Sequence, residues 1–553
     1  MGSEILGILW HDYCRLFISF ATDKHSQRNM AQQKRKLPVG IQSFESIRKE
    51  GYLYVDKTDM IWQLVNENKK YNYLSRPRRF GKSVLVDTLE CYLSGRKELF
   101  EGLKIMDLEK QWNAHPVIRL DMSRGGATAE EIKSYLNNAF SEYEKEYAVS
   151  LAPGSTLADR FDGIIKCAYE QTGQPVAILI DEYDSPLQHS WKTPHHEECT
   201  AVYRSVFAIL KADDKYEKFI FITGITKFTQ ISLFSVLNNI SNISFDPRFV
   251  ALCGITEQEI SDNFSIEVQL MAEQNDWTLE EAHKRLKDYY DGYHFCRRSM
   301  TDIYNPFSLI NALADGEICN YWISSGATSM LHKFVDDAEL RIGEFEGCTI
   351  MKNMLETSDV SGGGAELFLY QTGYLTIKSY QDGFYTLGFP NEEVRQALYE
   401  AVLPALTMRK TSQVASLQSQ MYSQLVTGQL TKAKETLKSL IADVPYSNKK
   451  LASMDMEERY RLIISTVLHS IGLRVQSERM LAGGRIDLVV WTPHYIYVVE
   501  LKLTNNGGMA AAAKQIADNG YLEPFKADPR RVIGLAIELD DMGKGLIDWQ
   551  IVE

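Results

Sequence analysis

A chain of 553 residues exceeds what one hydrophobic core normally spans, so two to four domains are expected, and 44% hydrophobic with 24% charged residues is an ordinary globular composition, which excludes a disordered or membrane-embedded chain. The longest apolar stretch, within residues 5–20, is interrupted by His11, Asp12 and Arg15 and has no basic region ahead of it, which argues against a bilayer span, a secretory signal and a membrane partner. A net charge of −13 repels phosphate on average, so any nucleic-acid contact must come from a locally basic surface. Eight cysteines (Cys14, Cys91, Cys167, Cys199, Cys253, Cys296, Cys319 and Cys348) lie far apart with no CxxC pair, as expected of reduced thiols in a cytoplasmic protein.

In chain order, residues 1–36 read as a poorly ordered leader ending in Lys34-Arg35-Lys36. From 37 to 255, short β-rich apolar runs alternate with longer helical stretches, the pattern of an α/β domain with a mostly parallel sheet. Val117–Leu120, Val176–Ile180 and Phe219–Ile222 are nearly unbroken in hydrophobicity and are predicted as strands buried on both faces. Residues 256–445 are read as a mostly helical lid and connector, with polar breaks at 361–364 and at Phe389-Pro390-Asn391. From 446 to 553, a helix over Met456–Ile471 leads into strands Arg485–Trp491 and Tyr495–Leu503 about a Thr492-Pro493-His494 turn, and an alanine-rich helix near 509–518 follows.

Arg76-Pro77-Arg78-Arg79-Phe80-Gly81-Lys82-Ser83 stands where a GxxxxGK[ST] loop belongs, after the strand-like Tyr71–Leu74 and before a helix with Leu85, Leu89 and Tyr92 on one face. Successive backbone N–H groups and the helix N-terminus would wrap a phosphate, with Arg76, Arg79, Gly81 and Lys82 as nucleotide contacts and the Ser83 hydroxyl on magnesium. The first glycine of the motif is replaced by Arg76, and a plain basic turn is the competing reading of the loop alone. The run Val176–Ile180 ends in Asp181-Glu182, placing two acids at a strand terminus that faces the same crevice. Asp181 is assigned to magnesium and Glu182 to polarising the attacking water. Thr223, ending Phe219–Ile222, is a candidate γ-phosphate sensor or a simple strand-ending turn.

At the C-terminal end, strand alternation puts Glu500 and Lys502 of Tyr495–Leu503 on one face, and a short turn brings Asp487 of Gly484-Arg485-Ile486-Asp487 alongside. Asp487 and Glu500 would share a divalent cation, magnesium with manganese as the alternative, because hard oxygen ligands suit both and phosphodiester cleavage needs a metal. Lys502 would orient water or offset developing charge; Glu458 could add a carboxylate, and Gln515 could hold water or phosphate. His195, His196 and Cys199 have zinc-like helical spacing but lack a fourth ligand and look like a solvated helix start. Tyr289, Tyr290, Tyr293, His294 and Phe295 read as a packed corner beside the ATPase core rather than as base-stacking groups.

These segments, with Leu37-Pro38-Val39-Gly40-Ile41-Gln42, Tyr52–Thr58, Asp181-Glu182-Tyr183-Asp184, Thr223–Phe228, Ala251–Gly254, Tyr290–Phe295, Asn305-Pro306-Phe307 and Gly388–Asn391, resemble the bacterial AAA-ATPase-like family that carries a PD-(D/E)XK nuclease tail. The resemblance runs from about residue 37 to the C-terminus and implies that a phosphate loop without its first glycine is usual. Asp487, Glu500 and Lys502 match the nuclease signature residue by residue, with Ile486 in place of the proline. The expectation is an ATP-regulated or ATP-driven nuclease acting on nucleic acid, DNA before RNA, with ATP and Mg²⁺ as cofactors and a homo-oligomer possible. A nucleotide-controlled, STAND-like defence switch and a scaffold with degenerate sites remain as alternatives.

Overall fold

The computed structural model describes residues 35–226, 240–322, 331, 345–357, 364–407, 411–442, 455–481 and 483–552. Most of the expected leader, residues 227–228 of the sensor segment and the 361–363 break therefore lie outside the described residues. Arg35 and Lys36, assigned to the leader, already belong to the fold: Arg35 Nε donates to Glu267 Oε1 at 2.9 Å, and Lys36 Nζ to the Glu50 carbonyl. No helix among the described residues is long and apolar enough to cross a membrane.

The N-terminal sheet contains β1 (Tyr71–Ser75), β2 (Val117–Asp121), β3 (Val176–Asp181), β4 (Glu217–Gly224) and β5 (Ser241–Asn242), all parallel, in the order β2-β3-β4-β1-β5. Strand β3 is buried along its whole length, as an unbroken apolar run between two helical layers requires. The helices α1 (Lys82–Leu93), α2 (Ala129–Glu146) and α3 (Leu157–Thr172) follow β1 and β2. Capping boxes start α2 and α3 at Thr128/Glu131 and Thr156/Asp159, each satisfying two otherwise orphaned N–H groups. Because β4 lies between β1 and β3, its C-terminal end, Thr223-Gly224, lies between the phosphate-loop strand and the strand that ends in two acids.

Among the described residues the connector is mostly helical, with a small sheet that the helical pattern did not announce. It contains α4 (Leu279–Tyr290) and α5 (Glu392–Thr407), but also a three-stranded antiparallel sheet of β6 (Thr349–Met351), β7 (Thr376–Gln381) and β8 (Phe384–Gly388). Asp382 and Gly383 join β7 to β8 with φ values of 51° and 91°, the doubly left-handed turn that Asp-Gly favours in a tight hairpin. The signal was present but hidden among helical neighbours.

The C-terminal unit opens with α6 (Met456–Ser470), capped by Asp455, and builds a five-stranded sheet in the order β13-β12-β11-β10-β9. Its strands are β9 (Arg474–Leu481), β10 (Gly484–Trp491), β11 (Tyr495–Leu503), β12 (Arg531–Leu539) and β13 (Leu546–Val552), and α7 (Gly508–Asp518) packs on β11 and β12. Only the β11–β12 pair is parallel, the crossover between them carrying α7. One continuous hydrophobic cluster joins the three parts: Phe80 beside the phosphate loop, Phe389 and Tyr399 of the connector, and Ile463 and Leu488 of the C-terminal unit all belong to it.

Candidate active sites

Two clusters of side chains, at opposite ends of the chain, are assembled by these elements. In the first, Gly81 adopts φ 83° and Arg79 φ 66°, so the loop turns twice through the left-handed region before α1 begins. A Cβ on Gly81 would meet nothing within 4 Å, so the glycine is required by its backbone conformation rather than by space. Loop residues Arg78–Ser83, Glu182, Pro38, Gly40, Gln42 and the connector residues Pro306 and Phe307 line a cavity of about 490 Å³, within the size range of small-molecule sites.

Lys82 is buried, and its ammonium donates to the carbonyls of Arg76 at 3.0 Å and Pro77 at 2.9 Å. Desolvation pulls its pKa down, opposed by the Glu182 and Asp181 carboxylates that it faces. Burial pushes Asp181 up, and the Ser83 hydroxyl and Lys82 oppose that rise, so Lys82, Ser83, Asp181 and Glu182 share one electrostatic neighbourhood. Glu182 itself holds φ 48°, a conformation that a side-chain-bearing residue adopts at a cost of about 1–3 kcal/mol. Burial raises its carboxyl, against the pull of Lys82.

Arg76 is not where the loop reading put it. It is 1% exposed, stacks on Phe295 at 4.0 Å and donates to the carbonyls of Ser75, Ser244 and Phe249, which leaves it behind the loop as a strut instead of a phosphate ligand. Arg79 is exposed and lies over Phe307, 4.9 Å from its ring centroid, at the cavity wall. Thr223 is fully buried beside Leu74 of β1, and its hydroxyl has no hydrogen-bond partner among the described residues. Beyond these, Asp184 accepts from the backbone N–H groups of Ile225 and Thr226, from the Thr226 hydroxyl and from Gln188, and so staples the ends of β3 and β4 together. A Cβ on Gly224 would come within 2.5 Å of Asp184, so this close approach is why glycine follows the threonine. The aromatic corner holds the loop from outside: Tyr293 and Phe295 pack edge-on against Phe80, at 4.8 and 5.5 Å.

In the second cluster the β10–β11 ladder pairs Leu488 with Val499, and one further step sets Asp487 opposite Glu500. Asp487 Oδ2 accepts from the Leu501 N–H at 2.8 Å, and Lys502 Nζ donates to Glu500 Oε1 at 3.0 Å and to the Leu501 carbonyl at 3.1 Å. Glu500 is 1% exposed and its Oε2 has no hydrogen-bond partner among the described residues. Burial, then the neighbouring Asp487, pushes its carboxyl up to about 7. Desolvation alone would lower Lys502, but the Glu500 carboxylate outweighs it and moves the ammonium up.

The helix acid that reaches this cluster is Glu457, not Glu458: Glu457 Oε1 lies 3.8 Å from Lys502 Nζ. One position on a helix is a 100° rotation, and the face that α6 turns inward carries Glu457 and, four residues on, Arg461. Arg461 lies 3.6 Å from Asp487 and 3.1 Å from Glu478 of β9. Gln515 is also elsewhere than expected: its amide donates to the Tyr521 hydroxyl, which in turn donates to the Arg485 carbonyl at the start of β10.

Among the described residues no three His, Cys, Asp or Glu side chains gather closely enough to hold a metal together. Two carboxylates, one with a free buried oxygen, and an adjacent main-chain carbonyl nevertheless form a hard-oxygen donor set that fits a hexacoordinate ion keeping several waters. His196 and Cys199 instead contact Ser190 and the Ala127 carbonyl.

Two family models match: residues 38–234 fit a predicted AAA-ATPase, and residues 455–549 fit the PD-(D/E)XK nuclease superfamily. The chain is also 30% identical over 525 residues to a protein of Azotobacter chroococcum mcd 1 named "Uncharacterized protein in vnfD 5'region", covering 92% of this chain and 97% of that relative. The chain belongs to the family of AAA-ATPase-like proteins with a PD-(D/E)XK nuclease-superfamily tail. In this AAA-ATPase-like protein the matched segments contain the two clusters just described. Among solved structures it is similar to the Orc1 protein of Aeropyrum pernix in complex with DNA (12% identity, 62% of this chain and 90% of that one, TM-score 0.23). It is likewise similar to Cdc6p of Pyrobaculum aerophilum (9% identity, 65% and 94%, TM-score 0.24). At such scores the likeness adds nothing to what the strand order establishes.

Glu457, Arg461 and Asp184 were missed as site residues. The first two carry a signal, an acid and a base four apart at the start of a helix that precedes the nuclease strands, and Asp184 closes the Asp181–Asp184 motif.

Proposed function

We propose that this protein is a divalent-metal-dependent nuclease whose cleavage is controlled by ATP bound at the phosphate loop. The observation that carries the reading is the convergence of Asp487, Glu500 and Lys502, with Nζ 3.0 Å from Oε1 and the two carboxylates facing each other across neighbouring strands. At the nucleotide site, Lys82 would bind the β and γ phosphates, Ser83 and Asp181 would hold magnesium, and Glu182, its carboxyl raised by burial, would accept a proton from water. The hydroxyl of Thr223, buried at the end of β4 without a hydrogen-bond partner among the described residues, would sense the γ-phosphate.

At the nuclease site, Asp487, Glu500 and the Leu501 carbonyl would hold magnesium or manganese, which when bound polarises the scissile phosphate and activates water. Lys502 remains protonated beside Glu500 and would neutralise charge growing on the phosphate oxygens. Asp487 is oriented by the Leu501 N–H on one oxygen and faces Arg461 at 3.6 Å with the other, which would turn to the ion, while Glu500 would offer its Oε2. Nucleic acid, with DNA favoured, is the proposed substrate.

The test is a cleavage assay on DNA and RNA with Mg²⁺ or Mn²⁺, alongside ATP binding. Glu500→Ala is expected to abolish cleavage and leave ATP affinity within about twofold, while Lys82→Ala weakens ATP binding by roughly 100-fold. Cleavage surviving in Glu500→Ala would reject the metal site, and unchanged ATP affinity in Lys82→Ala would reject the loop.

A further inference from the structure

Strand β10 runs antiparallel to β11 and β12 runs parallel to it, so the start of β10 and the ends of β11 and β12 share one end of the sheet. That end carries Asp487 and Lys502. Two connections frame it: the β9–β10 hairpin on one side and the β12–β13 loop, residues 540–545, on the other. Each bears an unusually exposed apolar side chain. Met480 is 74% exposed and Met542 71%, whereas the next large apolar residue in the described chain, Leu279, is 52% exposed.

Neither methionine is on a slack loop. Asp540 turns its carboxylate onto the backbone N–H groups of Met542 and Lys544, at 2.9 and 2.8 Å, which folds the loop and leaves the Met542 side chain outside. The Tyr460 hydroxyl of α6 accepts from the Gly545 N–H and donates to the Asp540 carbonyl, anchoring the same loop to the helix that carries Arg461. The other hairpin is anchored by Tyr521, which donates to the Arg485 carbonyl, and a Cβ on Gly484 would meet that hydroxyl at 2.7 Å. Met480 pairs across the hairpin with Arg485, half-exposed, and Lys544 is exposed next to Met542. Of the nearby acids, Glu478 is engaged by Arg461 and Arg485 and Asp540 by its own loop, while Asp541 precedes Met542 half-buried.

We propose that this end of the sheet is a duplex-binding interface in which Met480 and Met542 enter the base stack as apolar wedges on either side of the scissile phosphate, while Lys544 takes a backbone phosphate and Arg485 offsets Glu478. The inference rests on the nuclease reading for its substrate class. Exposed apolar side chains on an anchored backbone suit base-step insertion, since an unstacked step offers apolar area where water otherwise faces the methionine. The two connections are separated by three strand spacings, roughly 14 Å, which corresponds to about four base steps.

The experiment uses the full chain in EDTA, so that binding is read without cleavage, with a fluorescein-labelled DNA duplex followed by anisotropy and a duplex carrying 2-aminopurine as a stacking reporter. Met480→Ser with Met542→Ser is expected to weaken duplex binding by roughly tenfold or more and to remove the 2-aminopurine brightening, and leucine at both positions to retain both. Met351→Ser, at an exposed methionine of the connector, is expected to change neither. Undiminished binding and brightening in the double serine variant overturns the proposal, as does a wild-type chain that binds single strands but not duplex. If binding falls as expected yet the wild-type chain cleaves nothing when Mg²⁺ or Mn²⁺ is restored, the interface stands and the nuclease reading fails.

Discussion

Glu500 shows what a catalytic arrangement costs at the scale of one residue. Its carboxyl is enclosed beside Asp487, with one oxygen unpaired, and its pKa lies at about 7 in the folded chain against an ordinary 4.5. The folded state therefore holds this proton more tightly than the unfolded one. Its contribution to stability is whole below about pH 4.5 and is lost as pH rises through about 7. Glu500→Gln removes the ionisation: in EDTA at pH 8 the variant is expected to be more stable than wild type by about 1–3 kcal/mol, the two converging near pH 5. Denaturant unfolding at the two pH values measures this, and parallel curves would contradict it. The acid, the lysine and Asp487 were legible in the sequence because strand alternation leaves little choice of face. Arg76 was not. A loop side chain goes where later segments let it, and the carbonyls of Ser244 and Phe249 and the ring of Phe295 come from beyond the ATPase strands that the motif describes.

At the scale of elements, the strands and the phosphate loop could be read from buried apolar runs ending in acids or glycines, whereas the rotation of α6 could not. Sequence marks its acidic first turn, but which acid faces β11 depends on how Ile463, Ile464 and Val467 seat the helix against the sheet. Glu457→Gln is therefore expected to lower the cleavage rate by roughly 10- to 100-fold, the usual effect of losing a group that orients metal-site residues, while Glu458→Gln stays within about twofold. Equal effects, or the reverse order, measured as kcat on one duplex substrate, would mean that the helix presents its other face. The connector strands were obscured for a related reason: β7 and β8 are short, and only the Asp382-Gly383 turn distinguishes them from the helical sequence around them.

Across the whole molecule the two sites are linked by packing. Phe80 of the phosphate loop contacts Tyr293, Gly292 leaves room for the Pro390 carbonyl, and Asn391 donates to the Asp291 carbonyl at 2.8 Å just ahead of α5. Tyr399 of α5 then stacks on His469 of α6, 4.3 Å between centroids, and α6 carries Glu457 and Arg461 to the carboxylate cluster. This contiguous path is a physical route for coupling, and coupling itself is a free energy that must be measured. The most direct measurement is the rate of Mn²⁺-supported DNA cleavage as ATP is titrated, in the wild-type chain and in Lys82→Ala. The predicted result is a rate that changes with a midpoint at the wild-type ATP dissociation constant, and a response displaced to much higher ATP in the variant. A cleavage rate that stays flat across the wild-type titration, or responds identically in Lys82→Ala, would contradict the account.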